Sequence, residues 1–172
     1  VYENWIDRIL SRPINDTFAR AAVITGLVQQ LATNNTNASK ESGEPNHGGV
    51  AGGASLWWRW VAPETGAVAL DTRGSTIDTS LAVYTGGAVA GLTPVAGDDN
   101  AGGNGASALT FTAQAGVEYR IAVDAVNAQN GDIVLNLVSD SVAGADIPML
   151  PGWGLWLLAG MFASTLALPR RA

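Results

Sequence analysis

Glu44 and His47 stand three residues apart in the stretch GEPNHGG, and His47 is the single histidine of the chain. A carboxylate within reach of an imidazole is the smallest kit for general acid–base chemistry. No Ser or Cys nucleophile signature accompanies the pair, and cysteine is absent altogether. Neither a nucleophilic triad nor a Cys-ligated or His-rich metal site therefore has its parts. The expectation is that His47 hydrogen-bonds within a long loop. Gly48, Gly49, Gly52 and Gly53 do not make a phosphate cradle, because no Lys-Ser/Thr follows them and no strand-to-helix pattern surrounds them.

A second group is the acidic loop GDDNAGGNG, which places Asp98, Asp99 and Asn100 among glycines. Clustered carboxylate and amide oxygens suit a hard cation such as Ca²⁺, which takes six to eight oxygens. Asp71 and Asp78, in LDTRGSTIDT, are near enough in the pattern for the fold to carry them to this loop. The spacing is not that of an EF-hand, and Asp-Asp-Asn among glycines is also ordinary turn chemistry.

Tryptophan supplies the third candidate. In SLWWRWVA the period of a strand puts Leu56, Trp58 and Trp60 on one face and Trp57, Arg59 and Val61 on the other. The first set is expected in a core, where large aromatics bury most area. Trp57 beside Arg59 is left as a candidate carbohydrate-stacking pair.

These residues must be positioned by strands. Between Ala21 and Asp140 the chain runs in short β-branched segments: AAVITG, SLWWRWVA, GAVALDT, SLAVYTG, LTPVAG, SALTFTA, VEYRIAVDAV and GDIVLNLV. Several alternate apolar with polar residues, and Gly-, Asn- and Asp-rich turns separate them. No long amphipathic helix competes. The pattern predicts a single β-sandwich with jelly-roll or Greek-key connections over residues 14–140. The NGD within Asn127–Asp132 is expected to be a tight turn. Residues 1–13 carry more charge and larger apolar groups, and read as a lead-in segment or the end of a preceding domain, with Pro13 at the boundary.

The chain has 172 residues, a net charge of −6 and only 14% charged residues. Its basic residues are scattered, which argues against nucleic-acid binding. An exception is the pair Arg170 and Arg171 at the end of the sequence. Before them lies an uncharged run from Ile147 of about 22 residues, or roughly 33 Å of helix against a hydrocarbon core of about 30 Å. Trp153 and Trp156 near one end suit a headgroup interface, and the arginines at the other suit the cytoplasmic side. The expected division is 141–150 as linker and 151–172 as a transmembrane helix with a basic end.

Two resemblances accompany these readings. Ile147-Pro148-Met149-Leu150 followed by Trp153-Gly154, the apolar run and the Arg170-Arg171 stop resembles the IPTL-CTERM sorting signal, a relative of the PEP-CTERM signals of Gram-negative bacteria. It implies export, an inner-membrane intermediate, handling by an exosortase-type transpeptidase, and delivery to the cell surface or matrix. Residues 15 to 137, through NDTFARAAVITG, ESGEPNHGGVAGGASLWWRWVAPETG, LDTRGSTIDTSLAVYTGG and GVEYRIAVDAVNAQNGDIVLNL, resemble the pre-peptidase C-terminal (PPC-type) β-sandwich module of secreted bacterial proteins. That family has no shared active site, so the resemblance implies a non-catalytic module with no cofactor beyond a candidate Ca²⁺. Its expected partners are the membrane, the processing enzyme and a surface polysaccharide. The alternative is an accessory carbohydrate- or Ca²⁺-binding domain appended to an upstream secreted hydrolase.

Overall fold

The alternating segments become nine strands in a computed structural model that describes residues 11–141. They are β1 (Ala22–Ile24), β2 (Val28–Asn34), β3 (Leu56–Val61), β4 (Gly66–Asp71), β5 (Thr79–Thr85), β6 (Thr93–Asp98), β7 (Ala108–Ala113), β8 (Glu118–Ala125) and β9 (Asp132–Ser141). One sheet has the order β1-β3-β8-β5-β6 and the other β2-β9-β4-β7. Every pairing is antiparallel except β1 with β3. Most connections pass from one sheet to the other, the β5–β6 hairpin being an exception, which gives the expected sandwich. Among the described residues there is no α-helix, and no helix is long and apolar enough to cross a membrane. The motif Ile147–Leu150 with Trp153 and Gly154, the apolar run and Arg170-Arg171 lie outside the described residues.

The core sits where the period of two places it. Leu56, Trp58 and Trp60 from β3 meet Leu81 and Val83 from β5 and Tyr119, Ile121 and Val123 from β8. Opposite them stand Val68 and Leu70 of β4 and Ile133, Leu135 and Leu137 of β9. Burying a Val, Leu or Ile side chain contributes about 1.5–3 kcal/mol, so this interface carries most of the apolar stabilisation.

The first sheet is also covered on its outer side. Strand β5 is buried from Thr79 to Tyr84 without alternation, and β8 is buried from Ile121 to Ala125. A second cluster of Phe18, Trp57, Ala82, Tyr84 and Ala122 fills that outer side. The segments before β1 and between β2 and β3 form the cover. Asp16 accepts the Ser39 N–H at 2.6 Å, and Glu41 accepts the Phe18 N–H at 2.6 Å, tying the two segments together. Asn35 fastens the long loop at its start, donating to Ala54 and Gln129 carbonyls and accepting from Gly131 N–H.

Two local expectations need correction. Strand β2 was absent from the predicted set: its inward residues Gln29, Leu31 and Thr33 are only half-buried, so VQQLATN carries little strand signal. The segment Asn127–Asp132 is the expected loop, joining β8 and β9 of different sheets, but NGD is not its tight turn. The left-handed backbone there falls at Asn127 (φ 57°) and Ala128 (φ 53°), ahead of NGD.

Candidate functional site

The loop between β2 and β3 delivers Glu44 and His47 to the outer side of the first sheet. A 3-10 turn spans His47–Gly49, with Gly48 at φ 59°. A Cβ on Gly48 would lie 2.5 Å from the Asp98 carbonyl oxygen, so the loop can close onto β6 only with glycine there. His47 is thereby fully buried, edge-on to Trp57 with ring centroids 5.1 Å apart.

Both imidazole nitrogens are engaged. Nε2 lies 2.7 Å from Glu44 Oε1, and Nδ1 lies 2.8 Å from the Tyr84 hydroxyl. A carboxylate only accepts, so a neutral ring donates Nε2–H to Glu44 and accepts the Tyr84 proton at Nδ1. Glu44 Oε2 accepts the Glu41 N–H at 2.8 Å. Burial by itself raises the Glu44 carboxyl, but hydrogen bonds with His47, Ser55 and the Glu41 backbone outweigh it and hold the group below 4.5. Burial, followed by the charges of Glu44 and Asp124, pushes the Tyr84 phenol up to about 12.

Asp124 completes the group from β8. Its Oδ1 accepts three backbone N–H groups, from Gly53 at 2.9 Å, Ala54 at 2.9 Å and Ala125 at 2.8 Å. Its Oδ2 is buried with no partner, as are Ser80 Oγ and Trp57 Nε1. Ser80 pairs directly with Asp124 across β5 and β8. Ligating atoms of Glu44, His47 and Asp124 all lie within 4.8 Å of one another. The expected hydrogen bonding of His47 within its loop is therefore present. Tyr84 and Asp124 carry no motif that would single them out, because each is an inconspicuous member of a regular strand.

Trp57 is the clearest correction. It is 0% exposed, packed edge-on to Phe18 and His47, and presents no face to a sugar. Arg59 stays exposed and pairs with Glu118 at 3.5 Å. Trp58 and Trp60 enter the core.

The acidic loop forms a second, separate group. Asp98 Oδ2 accepts the Ala101 and Ala108 N–H groups, each at 2.9 Å, which shapes the turn. Gly105 packs against Asp78 and brings it beside the loop. Asp99 Oδ1 and Asp78 Oδ1 are buried without partners. Burial, then the charges of Asp78 and Asp98, raises the Asp99 carboxyl. Asn100 donates to Asp99 Oδ2. Asp71 does not join them; it pairs with Arg73 at 3.2 Å and accepts from Asn136 at 2.8 Å.

No family model matches the chain, and no curated protein matches it. Among solved structures, the pre-peptidase C-terminal domain of a collagenase from Bacillus anthracis is similar at 11% identity and a TM-score of 0.43, covering 68% of this chain and 93% of that one.

Proposed function

We propose that this chain is a non-catalytic, exported surface or matrix module, delivered by a C-terminal sorting signal of the exosortase-processed kind. The observation that carries this reading is the order of features after Ile147: a proline-containing motif, an uncharged run long enough to cross a bilayer, and Arg170-Arg171. The sandwich supports it from the other side. Its lone imidazole is sealed beneath a loop with both nitrogens occupied, which suits a fold-holding role better than turnover. The intended setting is the envelope of a Gram-negative bacterium, with an inner-membrane intermediate before the surface.

Fusing the tail to a reporter tests the reading. Leu158→Arg should abolish membrane association, since a charge at the centre of a span costs about 2.5–3.5 kcal/mol. An unchanged membrane fraction would overturn it. Mass spectrometry of the mature protein from a native host should show residues beyond about 150 removed.

A second reading is an accessory Ca²⁺-binding domain beside a secreted hydrolase. The orphaned oxygens of Asp78 and Asp99, with the charges of Asp78 and Asp98 both acting on Asp99, favour it. It stands or falls with a Ca²⁺ titration of thermal stability.

A further inference from the structure

We propose that Glu44, His47 and Asp124 form a buried site for a divalent transition ion, with Zn²⁺ as the occupant that fits best. Three observations lead there. The first is charge. Among the described residues Glu44 pairs only with His47, and Asp124 forms no ion pair. Two carboxylates are thus buried beside one imidazole. A proton on that ring would compensate Glu44 and leave Asp124 as it was. A divalent ion meets both at once, and buried charges are otherwise paired or bound to metals.

The second is the free oxygen. Three N–H groups fix Asp124 through Oδ1 alone, which orients the carboxylate while leaving Oδ2 with a lone pair and no donor in a fully buried position. Ser80 Oγ and Trp57 Nε1 lie on the same side of the sheet, also without partners. They suit a water in the remaining coordination position.

The third is reach. His and carboxylate ligands of tetrahedral Zn²⁺ lie about 2.0–2.2 Å from the ion, and so about 3.3–3.5 Å from each other. Nε2 and Oε1, now 2.7 Å apart, must separate by under about 1 Å, and the Asp124 oxygen, within 4.8 Å, must close by about as much as 1.5 Å. The glycine-rich loop over the site allows such a shift. On binding, the Nε2 lone pair goes to the ion. The proton of the neutral ring then sits on Nδ1 and is donated to the Tyr84 oxygen, the outer-shell partner that metal-bound histidines use. A cavity of about 230 Å³ lined by Asn46, Gly48, Tyr84 and Gly97 adjoins the loop, with Tyr84 between it and His47. The Tyr84 hydroxyl proton turns from the ring toward that cavity.

The chain's composition makes the test sharp. With one histidine in the chain, any imidazole ligand seen on a bound ion is His47. The full chain in detergent, stripped by a chelator and held in excess Ca²⁺ to occupy the acidic loop, is titrated with Zn²⁺. Expected results are one equivalent bound by elemental analysis, a melting temperature raised by several degrees, and X-ray absorption showing one imidazole among oxygen ligands. Asp124→Asn keeps the oxygen that accepts the three N–H groups, and should abolish the zinc-dependent rise. Should it fail to fold, the wild-type absorption spectrum decides by itself. No stoichiometric binding, an all-oxygen coordination shell, or a full zinc response in a folded Asp124→Asn protein would each overturn the proposal.

Discussion

The Asp124 carboxylate fills the space in which a side chain at position 52 would begin: a Cβ on Gly52 would lie 2.0 Å from Oδ2 and 2.1 Å from Cγ. The loop that roofs the first sheet is therefore matched to one buried acid. Gly52→Ala must displace either the loop or the carboxylate that anchors Gly53 and Ala54. We expect a loss of about 3 kcal/mol, at the upper end for overpacking, read by denaturant unfolding. Gly87→Ala, with open space around its Cβ position, serves as the near-neutral comparison.

Trp57 holds the outer cluster together through Phe18, His47 and Tyr84. Truncation to alanine should destabilise by about 3–5 kcal/mol, as for other buried aromatics. Arg59→Ala, at an exposed position, should change stability by under about 0.5 kcal/mol. Equal effects of the two substitutions in unfolding experiments would contradict the burial of Trp57.

Tyr84 should set an alkaline limit in metal-free protein. Its phenol is raised from 10 to about 12 in the fold. The folded state thus holds the proton more tightly than the unfolded chain. The stability it contributes is present below pH 10 and is lost as pH rises toward about 12, at a slope of about 1.4 kcal/mol per pH unit. Tyr84→Phe should remove that limb from a stability–pH profile.

Glu44 acts on the acid side with the opposite sign. Its carboxyl is held below 4.5, so its contribution is present above that pH and is lost as pH falls through the depressed value. Chelated wild-type protein should weaken below pH 4.5 more steeply than Glu44→Gln, measured by melting temperature across buffers.

At the acidic loop, Asp99→Asn removes one charge from a group of three. Without Ca²⁺ it should raise stability by about 0.5 kcal/mol, the scale of partly exposed charge pairs. With Ca²⁺ it should lower any stabilisation the ion gives. Calorimetry of both proteins with and without Ca²⁺ checks the reversal.

The strands were legible because their inward residues are strongly apolar, as in Leu56-Trp58-Trp60 and Ile133-Leu135-Leu137. Strand β2 escaped notice because an edge strand with Gln29 and Thr33 inward has little apolar contrast. Trp57 could not be assigned to core or surface for a related reason. Period two assigns one face to a core and the other to water, whereas here loops cover the second face too. Glu44 and His47 could be paired from local spacing, but Tyr84 lies 37 residues further on, and only the sheet brings it to Nδ1.

The tie between Asp16 and Ser39, and between Phe18 and Glu41, makes the leading segment part of the roof rather than a tether. A recombinant fragment cut at the start of β1 would keep all nine strands yet strip Phe18 from the Trp57 indole. Boundaries for expression should begin ahead of Arg12, and indole fluorescence would report at once whether a trimmed version has kept its lid.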